Sequence, residues 1–173
     1  MTPESHRVTS LAELDALVGR YITGEEPEVY WEDVHGYFKF HTEIEARRAL
    51  QDPYFQRFLP QVDWRATELR EVRVYRHYSA DPSANWQLVE RAAAQFGPML
   101  MWRESGLWHA VFGSHVDAAA RMPTVAICLA ALRASGVEVE VCHDPVDAEL
   151  AAYEACPPEC HRSPSVPKQF SEL

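Results

Sequence analysis

The chain has 173 residues and a formal net charge of −10, from 26 acidic against 16 basic side chains. A surface of that sign repels phosphate backbones, so broad nucleic-acid binding is excluded, while one small anion in a local basic pocket is not. With 47% hydrophobic and 11% aromatic residues, the chain can bury an ordinary core, which excludes global disorder and predicts one domain, or one with an insertion.

In chain order, SLAELDALVGRYITG (10–24) reads as a helix. Ser10 caps it, Glu13 stands three residues on to complete a capping box, and Gly24 is its stop. Leu11, Leu14, Leu17 and Val18 share one face, so the helix needs a partner surface. EVYWEDVHGYFKFH is aromatic-rich with partial alternation, which predicts a short hairpin turning near His35-Gly36. Thr42 and Glu45 make a second capping box, and Pro53 limits the helix that follows or begins a new turn. EVRVYRHY (71–78) alternates as a strand does. Asp81 then caps a helix with Pro82 at its first position and Gly97 after its end, placing Trp86, Val89 and Ala93 on one, core-facing side.

PMLMWRESGLWHAVFG predicts a hairpin turning at Ser105-Gly106. RMPTVAICLAALRASG is a nearly all-apolar helix between Pro123 and Gly136, expected to be buried on more than one face. VEVEVCH is an alternating strand, DPVDAELAAYEAC a last helix, and PPECHRSPSVPKQFSEL a Pro-rich tail. Helices alternating with a mainly antiparallel sheet predict an α/β fold, a layered α/β sandwich. The division expected is a leading helix (1–29), an inserted aromatic-rich module (30–71), a sandwich core (72–142), and a C-terminal helix with a Pro/Cys-rich tail (143–173).

YSADPSANWQLVE at 78–90, WHAVFG at 108–113 and PTVAICLAALRASG at 123–136 together resemble the phage ABA sandwich domain family. That family has a Tyr-Ser-Thr-Asp turn before a Trp-containing helix, then a strand leading to an Ala-Ile-Cys helix. The opening helix at 10–24 is similar as well. Ala80 stands where the family has Thr, residues 30–70 form a longer connection than usual, and the tail after 142 is extra. The resemblance implies an α/β sandwich encoded by a bacteriophage or prophage. It implies no settled activity, so function has to come from sites.

Two constellations carry candidate chemistry. Arg76, His77, Tyr78, Trp102, Arg103 and Trp108, with Trp86 and His109 nearby, mix stacking faces with cations, as a nucleotide-sized anion requires. The plainer account of the same residues is core, subunit interface and solvated ends. Cys142, Cys156, Cys160 and His161 supply four thiolate or imidazole groups, which a tetrahedral zinc site needs. The plainer account there is free thiols in a loose tail, and Cys128 inside the apolar helix reads as core. Histidines 77, 109, 115, 143 and 161 with Asp81, Asp117 or Asp144 offer acid–base pairs without a nucleophile motif, and Asp144-Pro145 is more simply a helix cap.

Binding is therefore expected ahead of catalysis. The first expectation is a phage-encoded accessory protein that sequesters a small anionic, nucleotide-like signal of host defence, with zinc as the one cofactor considered. The alternative is a protein–protein interaction module that inhibits or recruits a host or phage factor, and a nucleotide hydrolase is the third. No apolar run approaches the about 20 residues that span a bilayer, and MTPESHRVTS lacks the apolar core of a secretory signal. No membrane partner and a place in the bacterial host cytoplasm are expected. An open sheet edge and an apolar helix predict a homo-oligomer.

Overall fold

The computed structural model describes residues 5–36, 38–58, 63, 66–142, 146, 148 and 151. The chain divides into two compact units, one built from residues up to Thr23 and from His77 onward, the other from Gly24–Arg76.

The first unit opens with strand β1 (Ser5–Val8) and helix α1 (Leu11–Val18). Ser10 accepts the N–H of Glu13 at 3.2 Å, and Glu13 Oε2 accepts the N–H of Thr9 at 2.6 Å. Ser10 therefore caps the helix as expected, while Glu13 reaches back to Thr9, one residue before the cap, rather than to Ser10 itself. The helix runs on through a π-helical turn, Gly19–Thr23.

The second unit holds β2 (Glu28–Asp33), β3 (Lys39–Phe40), α2 (Glu43–Leu50), α3 (Pro53–Phe58) and β4 (Leu69–Val74). Its sheet order is β3-β2-β4, antiparallel throughout. Among the described residues Phe40, Ala46 and Leu50 form its core, with Trp31, Phe38, Ala49 and Leu69 packed around them. Thr42 caps α2 through the N–H of Glu45 at 3.1 Å. The strand expected at 71–78 to open the sandwich core is thus shorter, and it belongs to this unit. Six register pairs bind it to β2, from Glu28↔Val74 to Asp33↔Leu69, and Arg70 bridges to Glu32 at 2.9 Å. Cross-strand pairing of this kind outweighs the order of elements along the chain.

The first unit resumes with α4 (Pro82–Phe96), β5 (Met99–Glu104), β6 (Leu107–Phe112), β7 (Ala118–Ala120), α5 (Pro123–Ala134) and β8 (Glu138–Val141). Asp81 caps α4 through the N–H of Ser83 at 2.8 Å, with Pro82 at the first position. The hairpin between β5 and β6 turns at Ser105 and Gly106, φ 51° and 85°, the pair of positive φ values that a tight two-residue hairpin requires. Strands β5, β6 and β7 form an antiparallel sheet in that order, and β8 pairs in parallel with β1.

Helix α5 lies on the inner side of this layer and is buried nearly all round, from Val125 to Ala134. Phe112, Ala110, Ala118 and Ala120 meet it from the sheet, and Leu14, Val18 and Leu88 from the other helices. The molecule is therefore α/β, with helices layered on mainly antiparallel sheets. No helix among the described residues is long and apolar enough to cross a membrane. Trp86 departs from expectation. The inner face of α4 is Ala84, Asn85, Leu88, Val89 and Ala92, while Trp86 is 62% exposed and donates its Nε1–H to Glu90 at 3.1 Å.

Candidate functional site: the outer face of β5–β6–β7

Alternation along β5 and β6 assigns every side chain to one of two faces. Ala110 and Phe112 are fully buried, so they and Trp108 face α5. Residues of the other parity face away from it. Leu100 stands opposite Val111, Trp102 opposite His109, and Glu104 opposite Leu107, with Ala119 of β7 beside His109. The Trp102 indole stacks on the His109 imidazole, centroids 5.1 Å apart and planes 13° from parallel. His109 Nδ1 is fixed by Asp117 Oδ2 at 2.9 Å, and Arg133 donates to the Asp117 carbonyl to hold that loop. Leu100 is 64% exposed, Trp102 39% and Leu107 37%. The centre of the face is aromatic, with Glu104 and Asp117 at its margin.

The residues expected to form a nucleotide site are dispersed by the fold. Arg103 lies on the inner side, its guanidinium 5.6 Å from the half-buried Trp108 ring. Tyr78 is 2% exposed and donates its hydroxyl to Thr23 Oγ1 at 3.2 Å. Its ring is core. Arg76 closes the ends of the other unit by an ion pair with Glu25 at 2.8 Å. His77 approaches the buried Asp15 at 3.6 Å. Only Trp102 of the six stands on the outer face, and there His109 is its partner.

For zinc, Cys156, Cys160 and His161 lie outside the described residues. Cys142 is described, and its Sγ accepts the Nε–H of Arg7 at 3.0 Å. A guanidinium in that position is a poor neighbour for a dication. Among the described residues no group of three His, Cys, Asp or Glu side chains could hold a metal ion.

One polar site escaped the sequence reading. Asp15 is 2% exposed, on the buried stripe of α1 with Leu11, Leu14 and Val18. Its carboxyl pKa is raised by burial, against the lowering effect of His77 and Ser79. The available signal was its position: Leu11, Leu14, Asp15 and Val18 fall at i, i+3, i+4 and i+7, one helix face, and a carboxylate interrupts it. No family model, curated protein or solved structure matches the chain.

Proposed function

We propose that this protein is a non-catalytic interaction module, an accessory protein of a phage or prophage, whose working surface is the outer face of β5–β6–β7. The observation that carries this reading is the exposed, uncharged strip of Leu100, Trp102 and Leu107 around the Trp102–His109 stack. Such a strip, apolar at its centre and acidic at its margin, has the anatomy of a protein interface. Tryptophan at the centre is the residue type that most often anchors one.

The partner that this surface fits is a second copy of the chain. Two molecules that each carry −10 repel one another over most orientations, and the neutral strip is where they meet at least electrostatic cost. Edge strand β5, paired only with β6 among the described residues, supports the same reading. Sedimentation at micromolar concentration should show a dimer, and Trp102→Glu should convert it to monomer with unchanged circular dichroism. A wild-type monomer at high concentration overturns the self-association reading.

A second reading rests on the Trp102–His109 stack alone. An open indole face held parallel to an imidazole can take a planar base, which keeps the nucleotide-like defence signal in view. Recognition would run through the base, because Arg76 and Arg103 are engaged elsewhere. Quenching of tryptophan fluorescence by a panel of linear and cyclic nucleotides, lost in Trp102→Ala, would favour this reading. Absence of quenching removes it.

A further inference from the structure

Under the turn that leads into α4 lies a polar cluster remote in character from the apolar strip. Asp15 Oδ1 accepts the N–H of Ser79 at 2.8 Å. Asn85 Nδ2 donates to the carbonyl of Tyr78 at 2.9 Å, and the Thr124 hydroxyl donates to the carbonyl of Ser79. These three side chains from α1, α4 and α5 satisfy the buried backbone of the turn, as burial requires. An asparagine at position 15 would serve Ser79 N–H equally well. The carboxylate brings something more.

Asp15 Oδ2 is buried and, among the described residues, has no hydrogen-bond partner; neither has the buried Ser79 hydroxyl. Oδ2 faces His77 Nδ1 at 3.6 Å, and the His77 side chain is 59% exposed. A buried carboxylate is costly to keep ionised, and besides the Ser79 N–H the groups that favour its charge are the His77 imidazole and the Ser79 hydroxyl. Bringing a solvent-reachable imidazole to its open oxygen makes its charge conditional on a proton. Among the described residues, Cys128 of α5 is a further titratable group that interacts with Asp15. Burial, with the Asp15 charge second, raises that thiol well above its usual value, so it stays protonated and adds no charge. Ser79, Asn85 and Thr124 are neutral.

We infer that Asp15 and His77 form a proton-operated clasp, which holds the 77–81 turn on α1 while the imidazole is charged and slackens when it is neutral. Its place in the chain gives the clasp a use. His77 is where the chain re-enters the first unit, and Thr23, where it leaves, is tied to the same turn by the Tyr78 hydroxyl. The clasp therefore sets how firmly the 77–81 turn, and with it the Tyr78–Thr23 bond, is held within this unit. The direction of the effect follows from the proton. Deprotonation of the imidazole removes the positive charge that faces Asp15, so the hold on the turn weakens as pH rises through the range where an imidazole titrates.

Amide hydrogen exchange on the full chain tests this, read by NMR and corrected for the intrinsic rate at each pH. The Ser79 amide should be about ten-fold better protected at pH 5.5 than at pH 8. Amides in the middle of α5, which report wider opening, should change less. In His77→Gln the Ser79 protection should be equal at the two pH values, and the same is expected of Asp15→Asn. His77→Gln alters an exposed ring, so it carries the test even if the buried substitution unfolds the chain. A pH-independent Ser79 amide in the wild type, or a step that survives His77→Gln, overturns the clasp.

Discussion

Asp15 occupies a position that the spacing of α1 reserves for an apolar side chain, and it is 2% exposed there. A carboxyl whose pKa is raised by burial favours its neutral form in the folded state. The contribution to stability is therefore fully present below the unfolded carboxyl pKa and is lost as pH rises through the folded one. Asp15→Asn removes that dependence. In thermal unfolding followed from pH 4 to pH 8, the variant should lose less melting temperature than the wild type and should be the more stable protein at pH 8. A variant less stable than the wild type at pH 8 would mean that the negative charge itself holds the turn. Other residues were legible from local chemistry alone. Ser10, Thr42 and Asp81 cap the helices as their neighbours dictate, because a cap depends on residues two or three positions away. Asp15 depends on Ser79, sixty-four positions on, and no local pattern contains that.

At the scale of elements, the corner between α4 and β5 is set by a backbone contact. Gly113 has φ +59°, and a Cβ placed on it would stand 2.1 Å from the carbonyl oxygen of Phe96. Its N–H meets the Pro98 carbonyl at 3.0 Å. Gly113→Ala adds both the clash and the left-handed backbone penalty, and should cost about 2 to 4 kcal/mol. Chemical denaturation would read this as a lower midpoint at unchanged slope; an unchanged midpoint would show that the corner yields without cost. The elements that sequence spacing predicts are those whose signals are internal: the 105–106 turn, the apolar α5, the alternating β8. Strands β1 and β7 escape it, because four residues in SHRV and three in AAA hold too short a pattern. Trp86 was misplaced for a related reason. Helical spacing put it with Val89 and Ala93, but the stripe of Asn85, Leu88, Val89 and Ala92 takes the core instead. Buried Asn85 earns its place by bonding the Tyr78 and Thr124 carbonyls, which no hydrophobic pattern reveals. The candidate face was half legible in the same way. Trp102 was visible as an aromatic on a strand, while its pairing with His109 depends on hairpin register.

At the scale of the whole molecule, the 24–76 unit is an insertion whose two stems are held close on each side. Thr23 and Tyr78 are bonded within the first unit, and Glu25 and Arg76 are ion-paired within the second. Among the described residues, the buried core of the first unit runs from Val8 to Val146, and that of the second is Phe40, Ala46 and Leu50. Chain ends that lie close make an insertion removable. Deleting Gly24–Arg76 and joining Thr23 to His77 through a short glycine linker should leave a chain that unfolds in one cooperative step. It should keep the helical circular dichroism of α1, α4 and α5, and it should retain the wild-type oligomeric state, because the outer face of β5–β6–β7 is intact. A non-cooperative or aggregated deletion variant would instead place part of the first unit's stability in the insertion. A monomeric one, from a dimeric wild type, would move the docking surface off the β5–β6–β7 face and onto the inserted unit.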